Sequence, residues 1–153
     1  MDKTMIKTFE KSILLFFVLF VFFPFQKPKA QCSPGTLSRQ CIDKMSDGFI
    51  YLKSFSIDGQ DNTREKIEYT TVLSKDTQYI FQICSSIEGA DGIVLTIYDS
   101  NRNAVTSNQE EIIIDPELKY MCSSTGIYYL TFTFFESKNR CGGCILSFKN
   151  SQD

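Results

Sequence analysis

Two cysteines, Cys141 and Cys144, enclose a pair of glycines in "NRCGGCILSFKN", close to the end of the 153-residue chain. Paired thiols at this spacing have three chemistries open to them: thiol–disulfide exchange, half of a metal site, or structural bridging. Exchange needs a thiolate stabilised by a helix N-terminus or a nearby positive charge. Here an alternating run, "CILSFK", follows, and two glycines suit a tight turn better than a helix start. Arg140 is the one neighbour that would lower a thiol pKa. Structural zinc wants four Cys or His ligands at paired spacings, but the chain has no His and no second close Cys pair. These residues favour a structural disulfide, and a small thiol–disulfide oxidoreductase is the competing function.

Other residue groups offer less. Without His there is no Ser-His or Cys-His nucleophile pair. Glu110, Glu111, Asp115 and Glu117 cluster around Pro116 and read as a solvated loop. In "DSNRN", Asp99, Asn101 and Asn103 stand at the alternate spacing of calcium-loop ligands, so calcium is the one cofactor the sequence offers. No glycine follows at the sixth place, which favours a hairpin turn fastened by Asx side chains. Tyr129 and Phe135 fall on the opposite strand face from Tyr128 and Phe134. If exposed, they could meet a sugar ring or a protein; burial under a neighbouring loop is the favoured alternative.

The elements that must position these residues begin after residue 30. Lys3, Lys7 and Lys11 precede an apolar run of 13 residues from Ile13 to Phe25, and Ala30 closes the segment. That layout is a secretory signal peptide over residues 1–30, too short in its apolar part for a permanent membrane span. Gln31 before Cys32 does not fit the small residue that lipidation of that cysteine requires. Beyond residue 30 the basic count falls from 16 to 11 and the acidic count from 18 to 16, leaving a net charge of −5. Nucleic acid is a poor partner for that balance.

All six cysteines, Cys32, Cys41, Cys84, Cys122, Cys141 and Cys144, lie in the exported part and read as a disulfide framework with pairing open. Cys32 and Cys41 could close a local loop. Cys141 and Cys144 could bond to each other or split between Cys122 and Cys84.

Residues 31–48 read as a polar, Cys-containing loop with a Pro34-Gly35 turn. Residues 49–153 carry period-two runs rich in aromatic and β-branched side chains. In the first run Phe49, Tyr51, Lys53 and Phe55 share a side. Later runs place Tyr79, Phe81 and Ile83, then Ile93, Leu95 and Ile97, then Tyr128, Leu130, Phe132 and Phe134, then Cys144, Leu146 and Phe148, each on one face. "EIIID" is a short run before Pro116. Short strands with no helices between them predict an all-β, antiparallel β-sandwich, stabilised by disulfides.

"DGIVLTIYDSNRN" followed by "STGIYYLTFTF" resembles the bacterial pre-peptidase C-terminal domain. Asp91, Leu95, Ile97, Tyr98 and Asp99 match its first element, and Thr125, Gly126, Tyr128 and Tyr129 its second, within a match over residues 66–149. The resemblance implies a jelly-roll-like sandwich with a non-catalytic accessory role beside secreted proteases, or in adhesion and carbohydrate or matrix binding. The sequence therefore predicts a secreted or periplasmic bacterial binding module, its partner an unnamed protein or carbohydrate. An inhibitor or immunity-type partner of a secreted enzyme also fits the size and acidity.

Overall fold

The computed structural model describes residues 32–60, 65–86 and 89–150. The chain divides into a unit Met1–Gln31 and a unit Cys32–Asp153. The signal peptide expected over residues 1–30 lies outside the described residues. In chain order the described residues form α1 (Pro34–Ile42), β1 (Ile50–Asp58), β2 (Lys66–Leu73), β3 (Thr77–Ser85), β4 (Ile93–Tyr98) and β5 (Ala104–Ser107). Then come β6 (Gln109–Glu110), β7 (Ile113–Ile114), β8 (Glu117–Met121), β9 (Gly126–Phe134) and β10 (Cys141–Asn150). No helix among the described residues is long and apolar enough to cross a membrane.

Two four-stranded antiparallel sheets face each other, ordered β1-β10-β3-β8 and β2-β9-β4-β5. The pairs β1–β10, β2–β9, β3–β8 and β4–β5 describe one long ribbon folded back at the turn between β4 and β5. Rolling that ribbon sends successive segments to opposite sheets, and the β3–β10 and β4–β9 pairings close the roll. This is a jelly roll, a form of the antiparallel β-sandwich that the strand pattern predicts. The hairpin β6–β7 is inserted where the ribbon passes from β5 to β8.

Period-two alternation decides the core. Phe55, Ile57, Tyr79, Phe81, Ile83, Ile93, Leu95, Ile97, Tyr128, Leu130, Phe132, Cys144 and Leu146 point between the sheets and are buried together. One face assignment differs from the sequence expectation. The β1–β10 register shifts between Tyr51 and Lys53, so Tyr51 opposes Ser147 while Lys53 opposes Leu146. The extra residue turns Tyr51 away from the side that Lys53 and Phe55 share.

The larger correction concerns residues 31–48, which are not a simple loop. Pro34 starts a nine-residue helix that buries Leu37, Ser38 and Cys41. A helix this short is not stable alone in water. Covalent staples hold it: Cys32, just before α1, bonds Cys141, and Cys41, in its last turn, bonds Cys84. Under it sits a second small core of Cys41, Cys84 and Ile145, with Met45 against it.

Those contacts account for the two glycines between Cys141 and Cys144. Residues 141–150 form a strand from the first cysteine onward, where the sequence suggests a turn. Gly143 faces α1, and a Cβ there would lie 2.4 Å from the Ser38 backbone nitrogen. Gly142 faces the other way, where a Cβ would lie 2.4 Å from Ile93 Cδ1. Each glycine removes a side chain where neighbouring elements leave no room.

Candidate binding site

The ten residues after β4 and β5 contain the least protected apolar groups of the described chain. β6 and β7 pair Gln109 with Ile114 and Glu110 with Ile113, leaving Glu111 and Ile112 as the two-residue tip. Ile114 turns inward and packs on the main core. Ile112 and Ile113 do not: they are 80% and 70% exposed. Leaving an isoleucine side chain in water forgoes roughly 1.5–3 kcal/mol of burial free energy.

The base of this hairpin is held by a buried polar clamp. Asn108 is 5% exposed. Its Oδ1 accepts the Leu95 amide at 2.7 Å, and its Nδ2 donates to the Asp115 carbonyl at 2.7 Å and the Ile93 carbonyl at 3.3 Å. Its own amide donates to the Leu95 carbonyl, and its carbonyl accepts the Asp115 amide. One side chain thus ties both ends of the hairpin to the central strand β4. Buried polar groups satisfied in this way fix a single geometry. The bare isoleucines therefore stand on a rigid support.

Charge around the tip has one sign. Residues 104–118 hold four carboxylates and no Lys or Arg. Two of the four are engaged locally: Asp115 Oδ1 accepts the Glu117 amide at 2.8 Å, and Glu117 pairs with Lys119 Nζ at 2.9 Å. Glu110 precedes the tip and Glu111 is part of it; both are exposed, and among the described residues no Lys or Arg forms an ion pair with either.

The structure places the sequence-predicted residues elsewhere. Cys32, Cys41, Cys84 and Cys141 are bridged as described, whereas Cys122 and Cys144 are free buried thiols. The expectation of six bridged cysteines is thereby corrected, and so is a local Cys32–Cys41 loop. Cys141 and Cys144 lie three residues apart on one extended strand, on opposite faces and about 10 Å apart, beyond disulfide reach. Cys122 lies beside Thr77 and Cys144 opposite Ile83, six residues or about 20 Å along β3, so they cannot pair either. Burial raises the Cys144 thiol pKa, which keeps it protonated. The "CGGC" segment is therefore not a redox dithiol.

Asp99 closes the ribbon's fold-back turn. Its Oδ1 accepts the amides of Asn101 at 2.8 Å and Asn103 at 2.9 Å, and its Oδ2 accepts Asn103 Nδ2 at 3.2 Å. These bonds, those of Asn103 foremost, lower the Asp99 pKa. Among the described residues no three His, Cys, Asp or Glu are grouped to hold a metal.

Arg102, at φ 67 in the same turn, reaches across the outer face of β9. Its guanidinium lies 3.5 Å from the Tyr129 ring centroid and pairs with Glu68 Oε2 at 2.6 Å. That hydrogen bond lowers the Glu68 pKa, so the pair's contribution is present at neutral pH and fades as the carboxylate protonates in acid. One face of Tyr129 is thus already occupied by Arg102. Phe135 is exposed just past β9, its amide bonded to the Gly92 carbonyl at 2.8 Å.

Sequence reasoning missed Ile112, Ile113 and Asn108. The sequence signal was weak: three consecutive isoleucines stand between carboxylates, but the buried strands β3 and β4 also hold three apolar residues in a row, Tyr79-Ile80-Phe81 and Ile93-Val94-Leu95.

No protein-family model matches the chain, and no curated protein matches it. Among solved structures it is similar to the crystal structure of Aeromonas hydrophila PliG, described as a periplasmic lysozyme inhibitor of g-type lysozyme. The two are 18% identical with a TM-score of 0.39, over 66% of this chain and 82% of that chain.

Proposed function

We propose that this chain is an exported, non-catalytic module that binds a protein through the β6–β7 hairpin. The observation that carries the proposal is the exposure of Ile112 and Ile113 on a support locked by Asn108. Rigid exposed aliphatic groups regain their burial free energy only when a partner covers them, and preorganisation spares the entropy of ordering a loop. Branched aliphatic side chains fit an apolar protein pocket, whereas sugar rings stack on flat aromatic faces. The two disulfides support an oxidising compartment outside the cytoplasm. The pre-peptidase C-terminal resemblance implies the same accessory class.

The test compares the wild type with the Ile112→Ser/Ile113→Ser variant. Both side chains already stand in water, so the variant should unfold within about 0.5 kcal/mol of the wild type. Its affinity for protein partners captured from the extracellular fluid should fall at least tenfold, about 1.4 kcal/mol. A g-type lysozyme, the enzyme named for the Aeromonas protein, is one purified reagent for the assay. Undiminished binding by the serine variant would refute the proposal.

A further inference from the structure

We infer that the partner presents a cleft with an apolar floor and a rim of Lys and Arg. The inference rests on the hairpin proposal and adds the partner's chemistry. The tip is narrow, a two-stranded ribbon about 5 Å between strand axes, and its exposed apolar groups sit at the very end. Such a shape fills a groove rather than a flat surface.

Glu110 and Glu111 decide the rim. Both are exposed beside the isoleucines, and no described Lys or Arg forms an ion pair with them. A groove deep enough to cover Ile112 and Ile113 must strip water from these carboxylates. In a neutral or acidic groove that desolvation has no return. Lysines or arginines at the rim would replace the lost water with charge-assisted hydrogen bonds. The net charge of −5 beyond residue 30 adds a longer-range attraction to the same kind of partner.

A photo-crosslinking variant of the full chain, Ile112→p-benzoylphenylalanine, tests both layers separately. The adduct formed in extracellular fluid is mapped by mass spectrometry, and the identified protein is purified and titrated by calorimetry. The expected adduct lies in a groove lined by Lys or Arg. Its affinity for the wild type should drop at least about tenfold between about 50 and 500 mM salt. Glu110→Gln/Glu111→Gln should weaken binding by about fivefold or more in low salt, with the urea midpoint unchanged. An adduct whose affinity moves less than about twofold in both comparisons overturns the cationic rim and leaves the hairpin proposal standing. An adduct from Val72→p-benzoylphenylalanine, on the outer sheet face, with none from position 112, overturns the hairpin proposal itself.

Discussion

Replacing Cys41 and Cys84 together by serine is expected to cost roughly 4 kcal/mol of folding stability, and replacing Cys32 and Cys141 roughly 5 kcal/mol. The bridges close segments of 43 and 109 residues, so each removes a large part of the unfolded chain's freedom. A domain of this size has only about 5–15 kcal/mol in total. Structure adds to the entropic effect. A nine-residue helix with three buried residues does not hold itself on the sheet. Once either staple is gone, α1 lifts more readily and bares Ile145 and the face of Gly143. Urea unfolding of the two double variants reads the loss directly. Mutating the unbridged thiols sets the contrast: Cys144→Ala should cost only about 1 kcal/mol, a small core truncation. Equal losses from all three variants would mean that α1 is not stapled as described.

Asn108→Leu is the second large expectation. Leucine matches the shape of asparagine but neither donates nor accepts. The Leu95 amide and the Ile93 and Asp115 carbonyls would lose their partners at a buried site. At about 1–3 kcal/mol for each buried group left unsatisfied, with partial relaxation, the loss should total roughly 3–5 kcal/mol. The hairpin should also loosen, because the same three bonds join its two ends to β4. Partner affinity should therefore fall even in conditions where the variant is fully folded, which separates the clamp's role from bulk stability. A stability loss under about 1 kcal/mol would show that the clamp is not formed in solution.

Much of the sandwich was legible because alternation is a local signal. The inner rows Tyr79-Phe81-Ile83, Ile93-Leu95-Ile97 and Tyr128-Leu130-Phe132 could be read residue by residue, and each row is buried together. The features that escaped are tertiary. α1 has too few residues for a helical period to stand out, and its stability comes from bonds to cysteines 43 and 109 residues away. The glycines of "CGGC" suggested a turn because Gly is usually chosen for backbone freedom. Here both are in a strand and are small because α1 and Ile93 press on them. The bulge at Tyr51 reverses a face without changing the sequence pattern. Ile112 and Ile113 look like buried strand residues until the pairing leaves Ile112 at the tip and Ile113 beside it on a two-stranded hairpin, since exposure belongs to the fold rather than to the residue.

Hydrogen exchange on the full chain, free and bound to the protein captured through position 112, tests most directly whether the hairpin is the binding surface. Binding should slow exchange over residues 109–114 by tenfold or more, about 1.4 kcal/mol of added protection. The amides of β2 and β9 should exchange as they do in the free chain. Slowing along Val72, Ile127 and Tyr129 with the hairpin unchanged would contradict the account and move the binding surface to the outer face of the β2-β9-β4-β5 sheet.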